Sequence, residues 1–139
     1  MSGFVIDASV AVKWVVEEEG TLEAVALLRQ QLLAPDLINA ECANILWKKV
    51  RLGEMSCEEA IFAGRLLANA DIDLTSTRPL LEAAVEIAIV LDHPAYDCVY
   101  LALAEQKNIE IVTADTRLIK KARAFDRFKW RVADLREWR

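Results

Sequence analysis

Four carboxylates stand where this sequence otherwise places apolar side chains. Asp7 closes the short run Phe4-Val5-Ile6, and Asp115 follows the run Ile109 to Thr113. Glu41 lies three residues after Ile38 and four before Ile45, on the stripe a helix would turn toward the core, an unusual place for glutamate. Asp97 sits early in Tyr96 to Gln106, the most apolar helical stretch, stacked with Leu101 and beside Tyr100. Carboxylates crowded at low dielectric repel one another unless a cation lies between them, and no nearby pattern of Lys or Arg supplies one. A divalent ion would. Oxygen donors without His or Cys favour Mg²⁺ or Mn²⁺ over zinc. Ions held this way position a water, lower its pKa and steady both oxygens of an in-line displacement, so the implied reaction is phosphodiester hydrolysis. Taken singly, the acids also have plain structural roles: Asp7 and Asp115 can cap the helices after them, and Asp97 can favour its own helix dipole. Glu41 is the hardest to explain in that way.

The elements that must bring these acids together can be read from the pattern. Phe4-Val5-Ile6 predicts a buried strand and Ser9 to Val16 a helix, stopped by Glu17-Glu18-Glu19-Gly20. Thr21 opens a helix with an apolar stripe Leu22, Val25, Leu28, Leu32, and Pro35-Asp36 opens another that Gly53 closes. Ser56 with Glu59 forms a capping box for a third, giving a helical hairpin. Ile72 to Thr75 predicts a short strand, and Pro79 starts a helix faced by Leu80, Ala84, Ile87 and Leu91, broken by Asp92-His93-Pro94. Tyr96 to Gln106 reads as a helix buried between layers, Ile109 to Thr113 as a strand, and Asp115 as the start of a basic helix. Phe128 to Val132 alternates apolar and basic residues, as an edge strand would. Strands separated by helices give an α/β fold with a central parallel sheet flanked by helices, whose strand C-termini share one edge. Asp7 and Asp115 would lie on that edge.

Composition bounds the alternatives. The chain has 139 residues, 55% hydrophobic and 28% charged, which suits one folded domain over residues 1–139. A formal charge of −5 excludes a uniformly basic nucleic-acid binder, although the basic residues concentrate from Arg117 onward. Cys42, Cys57 and Cys98 are far apart and form no CxxC, so reduced, buried thiols in a cytoplasmic protein are expected. Every apolar stretch is broken by a charge before membrane-spanning length, and MSGFVIDAS lacks a basic targeting region.

Taken together, Val5-Ile6-Asp7-Ala8-Ser9, Glu41 in an apolar helix, the segment Tyr96-Asp97-Cys98-Val99-Tyr100-Leu101-Ala102-Leu103-Ala104, and Val112-Thr113-Ala114-Asp115 resemble a PIN domain. More narrowly they resemble the VapC toxins of VapBC toxin-antitoxin pairs, in the family's order and over nearly the whole chain. The resemblance implies an endoribonuclease dependent on Mg²⁺ or Mn²⁺, with one or two ions, a homodimer, and a VapB-type antitoxin whose segment covers the acidic site. It assigns Asp7, Glu41, Asp97 and Asp115 as metal ligands and catalytic acids, with Ser9 and Thr113 supporting them. Many relatives carry a further Asp or Asn shortly after the last acid, where Thr116 and Arg117 stand here.

Lys48, Lys49, Arg117 and Lys120 are candidates to hold RNA phosphates at the rim of such a site. His93, the only histidine, is assigned to the turn, and Trp14, Trp47, Trp130 and Trp138 to core or dimer contacts. Two other classes compete with the nuclease. A PIN-like module used only to bind protein would not require all four acids. A phosphoacceptor signalling domain would need an adjacent acidic pair and a strand-end Lys, whereas the first strand offers Asp7 alone.

Overall fold

Short apolar runs form the strands, and in a computed structural model that describes residues 3–138 they pair into a five-stranded sheet. The strands are β1 (Phe4–Ile6), β2 (Leu32–Pro35), β3 (Asp73–Thr75), β4 (Glu110–Thr113) and β5 (Val132–Asp134), in the order β3-β2-β1-β4-β5. Every pairing is parallel, with Phe4 opposite both Leu32 and Glu110. The helices are α1 (Ala8–Ala11), α2 (Thr21–Leu27), α3 (Leu37–Arg51), α4 (Cys57–Ala68), α5 (Leu81–Leu91), α6 (Ala95–Lys107) and α7 (Thr116–Arg123). The chain leaves β1 toward β2 on one side, whereas β4 joins its other side. The order therefore reverses between β1 and β4, and crevices at such reversals are where open parallel sheets bind ligands.

The α/β reading is the observed fold. Helix α6 packs on β1, β2 and β4, and its residues Cys98 to Ala104 are all buried, which explains why its sequence is apolar all round. Each of its buried leucines, Leu101 and Leu103, contributes roughly 1.5–3 kcal/mol by leaving water. Helix α5 stacks on α6 and buries Ala84, Ile87 and Leu91, with Leu80 buried in the turn just before it, the face its spacing predicts. Ser56 and Glu59 form the expected capping box at α4, with hydrogen bonds of 3.0 and 2.8 Å.

Three expectations are corrected. Leu32 belongs to β2, not to the stripe of α2, which buries Ala24 and Leu27 and exposes Leu22, Val25 and Leu28. The strand is buried on both faces, so its unbroken apolar run lacks the alternation that separates strand from helix. The alternating segment Phe128 to Val132 is mostly a turn closed by hydrogen bonds from Lys129 to Phe125 and from Arg131 to Phe128, and the edge strand begins only at Val132. Cys57 is exposed, which corrects the expectation of three buried thiols, while Cys42 and Cys98 are buried; Trp47 and Trp130 are exposed, so of the two roles expected for them only a dimer contact stays open. Among the described residues no single helix is long and apolar enough to cross a membrane.

Candidate metal centre

Asp7 is the first residue beyond β1, and its extended backbone turns the chain into α1, which it caps. Its two carboxylate oxygens take hydroxyl donors from both sides of the strand reversal. Oδ1 accepts from Ser9 Oγ and Oδ2 from Thr113 Oγ1, each at 2.5 Å. The hydroxyls are themselves oriented from β4: Ser9 Oγ accepts from the Ala114 amide at 3.1 Å and Thr113 Oγ1 from the Asp115 amide at 3.0 Å. A closed network therefore joins the ends of β1 and β4. Burial pushes the Asp7 carboxyl from 3.8 up to about 6, against the pull of the two hydroxyls and with the charges of Asp97 and Asp115 adding to the rise.

Asp115 caps α7 with Oδ1, which accepts from the amides of Arg117 and Leu118 at 3.0 and 3.3 Å. The capping roles of Asp7 and Asp115 are thus real, and they fix the same side chains that face the strand reversal. Asp97 lies in the first turn of α6, and Glu41 one turn into α3. Glu41 Oε1 accepts from the buried Tyr100 hydroxyl at 2.5 Å. Burial raises the carboxyls of Glu41 and Asp97. Asp97 adds to the rise at Glu41, and Asp115 to that at Asp97.

All four acids line one cleft of about 560 Å³, together with Ser9, Asn44 and Tyr96. Among the described residues no Lys or Arg lines it. Carboxylates that raise one another and have no internal cation form a donor set suited to a hard divalent ion, so these residues fit Mg²⁺ or Mn²⁺. Thr113 is fully buried and supports Asp7 without lining the cleft.

The four candidate rim cations diverge. Lys48, Arg117 and Lys120 are exposed. Lys49 is turned into ion pairs with Glu18 at 2.9 Å and Glu54 at 3.7 Å, which corrects its assignment as a free phosphate contact. Lys129 lies in the turn before β5 and so supplies no strand-end lysine for a phosphoacceptor site.

Sequence reasoning left out three residues. Asn44 and Tyr100 follow Glu41 and Asp97 by three positions, the helical spacing that places side chains on one face. His93, assigned to the turn, is buried with Nε2 only 2.6 Å from Asp97 Oδ2. Atoms of His93, Asp97 and Asp115 lie within 4.8 Å of one another. His93 stands four residues before Asp97, but Pro94 places it outside α6, so helical spacing alone did not pair the two.

Residues 4–124 match the PIN domain family. Ribonuclease VapC3 of Pyrobaculum aerophilum is 31% identical over 124 residues, 84% of this chain and 92% of the relative. Ribonuclease VapC9 of Mycobacterium tuberculosis is 33% identical over 117 residues, 82% of this chain and 87% of the relative. Among solved structures, PAE2754 from Pyrobaculum aerophilum superposes with a TM-score of 0.70 at 23% identity, covering 96% of this chain and 84% of that one. Mycobacterium tuberculosis VapC20, a sarcin-ricin loop cleaving toxin, superposes with a TM-score of 0.60 at 15% identity, covering 79% and 86%. The chain belongs to the PIN-domain family, and within it to the VapC ribonucleases.

Proposed function

We propose that this protein is an Mg²⁺- or Mn²⁺-dependent endoribonuclease acting as the toxin of a VapBC-type pair in the cytoplasm. The observation that carries the reading is the convergence of Asp7, Glu41, Asp97 and Asp115 on one cleft at the β1–β4 reversal, in a chain of this family. These four acids would hold one or two ions, which when bound supply charge to the scissile phosphate and acidify the attacking water. The protein's own part is positioning. Ser9 and Thr113 fix both oxygens of Asp7, and the α7 amides fix Asp115. Glu41, raised by burial and steadied by Tyr100, is a better proton acceptor for water than a surface carboxylate. Arg117, Lys48 and Lys120 are exposed and contribute phosphate contacts outside the cleft.

Water attack releases the 3′ oxygen, giving 5′-phosphate and 3′-hydroxyl ends. A homodimer and a VapB-type antitoxin, covering the acidic cleft, complete the reading. The test is end-group analysis of a labelled RNA cut by the purified protein with Mn²⁺. Fragments that ligate directly through a 5′-phosphate support it. Cyclic phosphate ends, which arise when a 2′-hydroxyl attacks instead of water, contradict it.

A further inference from the structure

We infer that His93 is a positioning residue that fixes the orientation of Asp97 from behind the cleft, an inference that rests on the metal-dependent reading above. His93 occupies a corner fixed from two sides. Asp92 before it is left-handed, with φ of 50°, and ends α5, while Pro94 after it begins α6. The His93 amide donates to Ala88 O at 3.2 Å, and Lys121 of α7 donates to Asp92 O at 2.5 Å. The corner is therefore tied to α5 and to the helix that Asp115 caps.

The imidazole has only 2% of its side chain exposed, and Nε2 is 2.6 Å from Asp97 Oδ2. Among the described residues, its Nδ1 is buried without a partner. The short contact ties Oδ2 of Asp97 to the corner between α5 and α6 and leaves the other carboxylate oxygen for the cleft that Asp97 lines. With Nδ1 unpartnered, the one polar contact of the buried ring is the one to Asp97, and the placement of that carboxylate is what the ring's position serves.

The test compares His93→Gln, His93→Asn and His93→Leu. The Gln amide nitrogen reaches the place of Nε2, whereas the Asn amide stops at the level of Nδ1. Mn²⁺ affinity is read by electron paramagnetic resonance, RNA cleavage as separate kcat and KM, and folding by circular dichroism. His93→Gln is expected to stay within about threefold of wild type, and His93→Asn and His93→Leu to bind Mn²⁺ roughly 10–100-fold more weakly with KM unchanged. If His93→Leu fails to fold, the Gln and Asn pair decides. Equal behaviour of that pair overturns the inference, as does a nitrogen coupling showing His93 bonded directly to Mn²⁺, or a wild type that binds no Mn²⁺. The expected Mn²⁺ order in a protein that cuts no RNA would sustain the positioning role and refute the ribonuclease reading. Cleavage with no Gln–Asn difference would do the reverse.

Discussion

Thr113 donates its hydroxyl hydrogen to Asp7 Oδ2 at 2.5 Å, a bond that spans 106 positions of sequence and joins the ends of adjacent strands β4 and β1. The same hydroxyl oxygen accepts from the Asp115 amide, so one side chain sets the spacing of two acids. Thr113→Val keeps the shape and removes the hydroxyl, leaving a buried carboxylate oxygen and an amide unpaired. The expected loss is roughly 1–3 kcal/mol of stability in denaturant titration. Thr113→Ser should recover most of it, along with Mn²⁺ affinity.

Asp7 makes the metal-free protein less stable as pH rises. Its carboxyl is raised to about 6 from 3.8, so between those values the folded state binds more protons than the unfolded chain. The contribution is fully present below pH 3.8 and is lost as pH rises through 6, a difference of roughly 3 kcal/mol. In EDTA at pH 7.5, Asp7→Asn is expected to melt at or above the wild-type temperature, despite losing one favourable hydroxyl orientation. Added Mn²⁺ should raise the melting temperature of wild type and leave that of Asp7→Asn nearly unchanged. A variant that melts well below wild type in EDTA would contradict this account of the buried charge.

Tyr100→Phe removes the donor that holds Glu41 Oε1 and lowers its carboxyl. Without it Glu41 rises further, so the acidic limb of the pH–rate profile should move to higher pH and kcat should fall about tenfold. An unmoved acidic limb would remove Glu41 from the proton-accepting role.

Sequence pattern exposed much of this arrangement: Glu41 and Asp97 were visible because an acid on the apolar face of a helix conflicts with its periodicity, Asp7 and Asp115 because each follows an apolar strand run, and α5 and α6 for the regularity of their faces. Strand β2 was hidden because Leu32-Leu33-Ala34-Pro35 is buried on both sides and lacks alternation. His93 was hidden because its partner depends on the corner between α5 and α6, a tertiary geometry. Lys49 looked like Lys48 in sequence, yet one helical position separates an ion pair with Glu18 from an exposed cation.

That difference is measurable. Alanine at Lys48, Arg117 or Lys120 should weaken RNA binding similarly across sequences and reduce the salt-dependence slope by about 0.7 for each phosphate no longer neutralised. Lys49→Ala should leave the slope unchanged and cost at most about 1 kcal/mol of stability through its broken ion pairs. A slope change at Lys49 as large as at Lys48 would contradict the orientation of α3.

The most direct test of the acidic centre is cleavage of total RNA by purified protein with Mn²⁺ or Mg²⁺, set against EDTA and an identically prepared Asp97→Asn variant. That substitution removes a charge at nearly constant volume and keeps an acceptor for His93. The account predicts fragmentation that requires the metal and falls at least about 100-fold in Asp97→Asn. Cleavage that survives both EDTA and the substitution would contradict it.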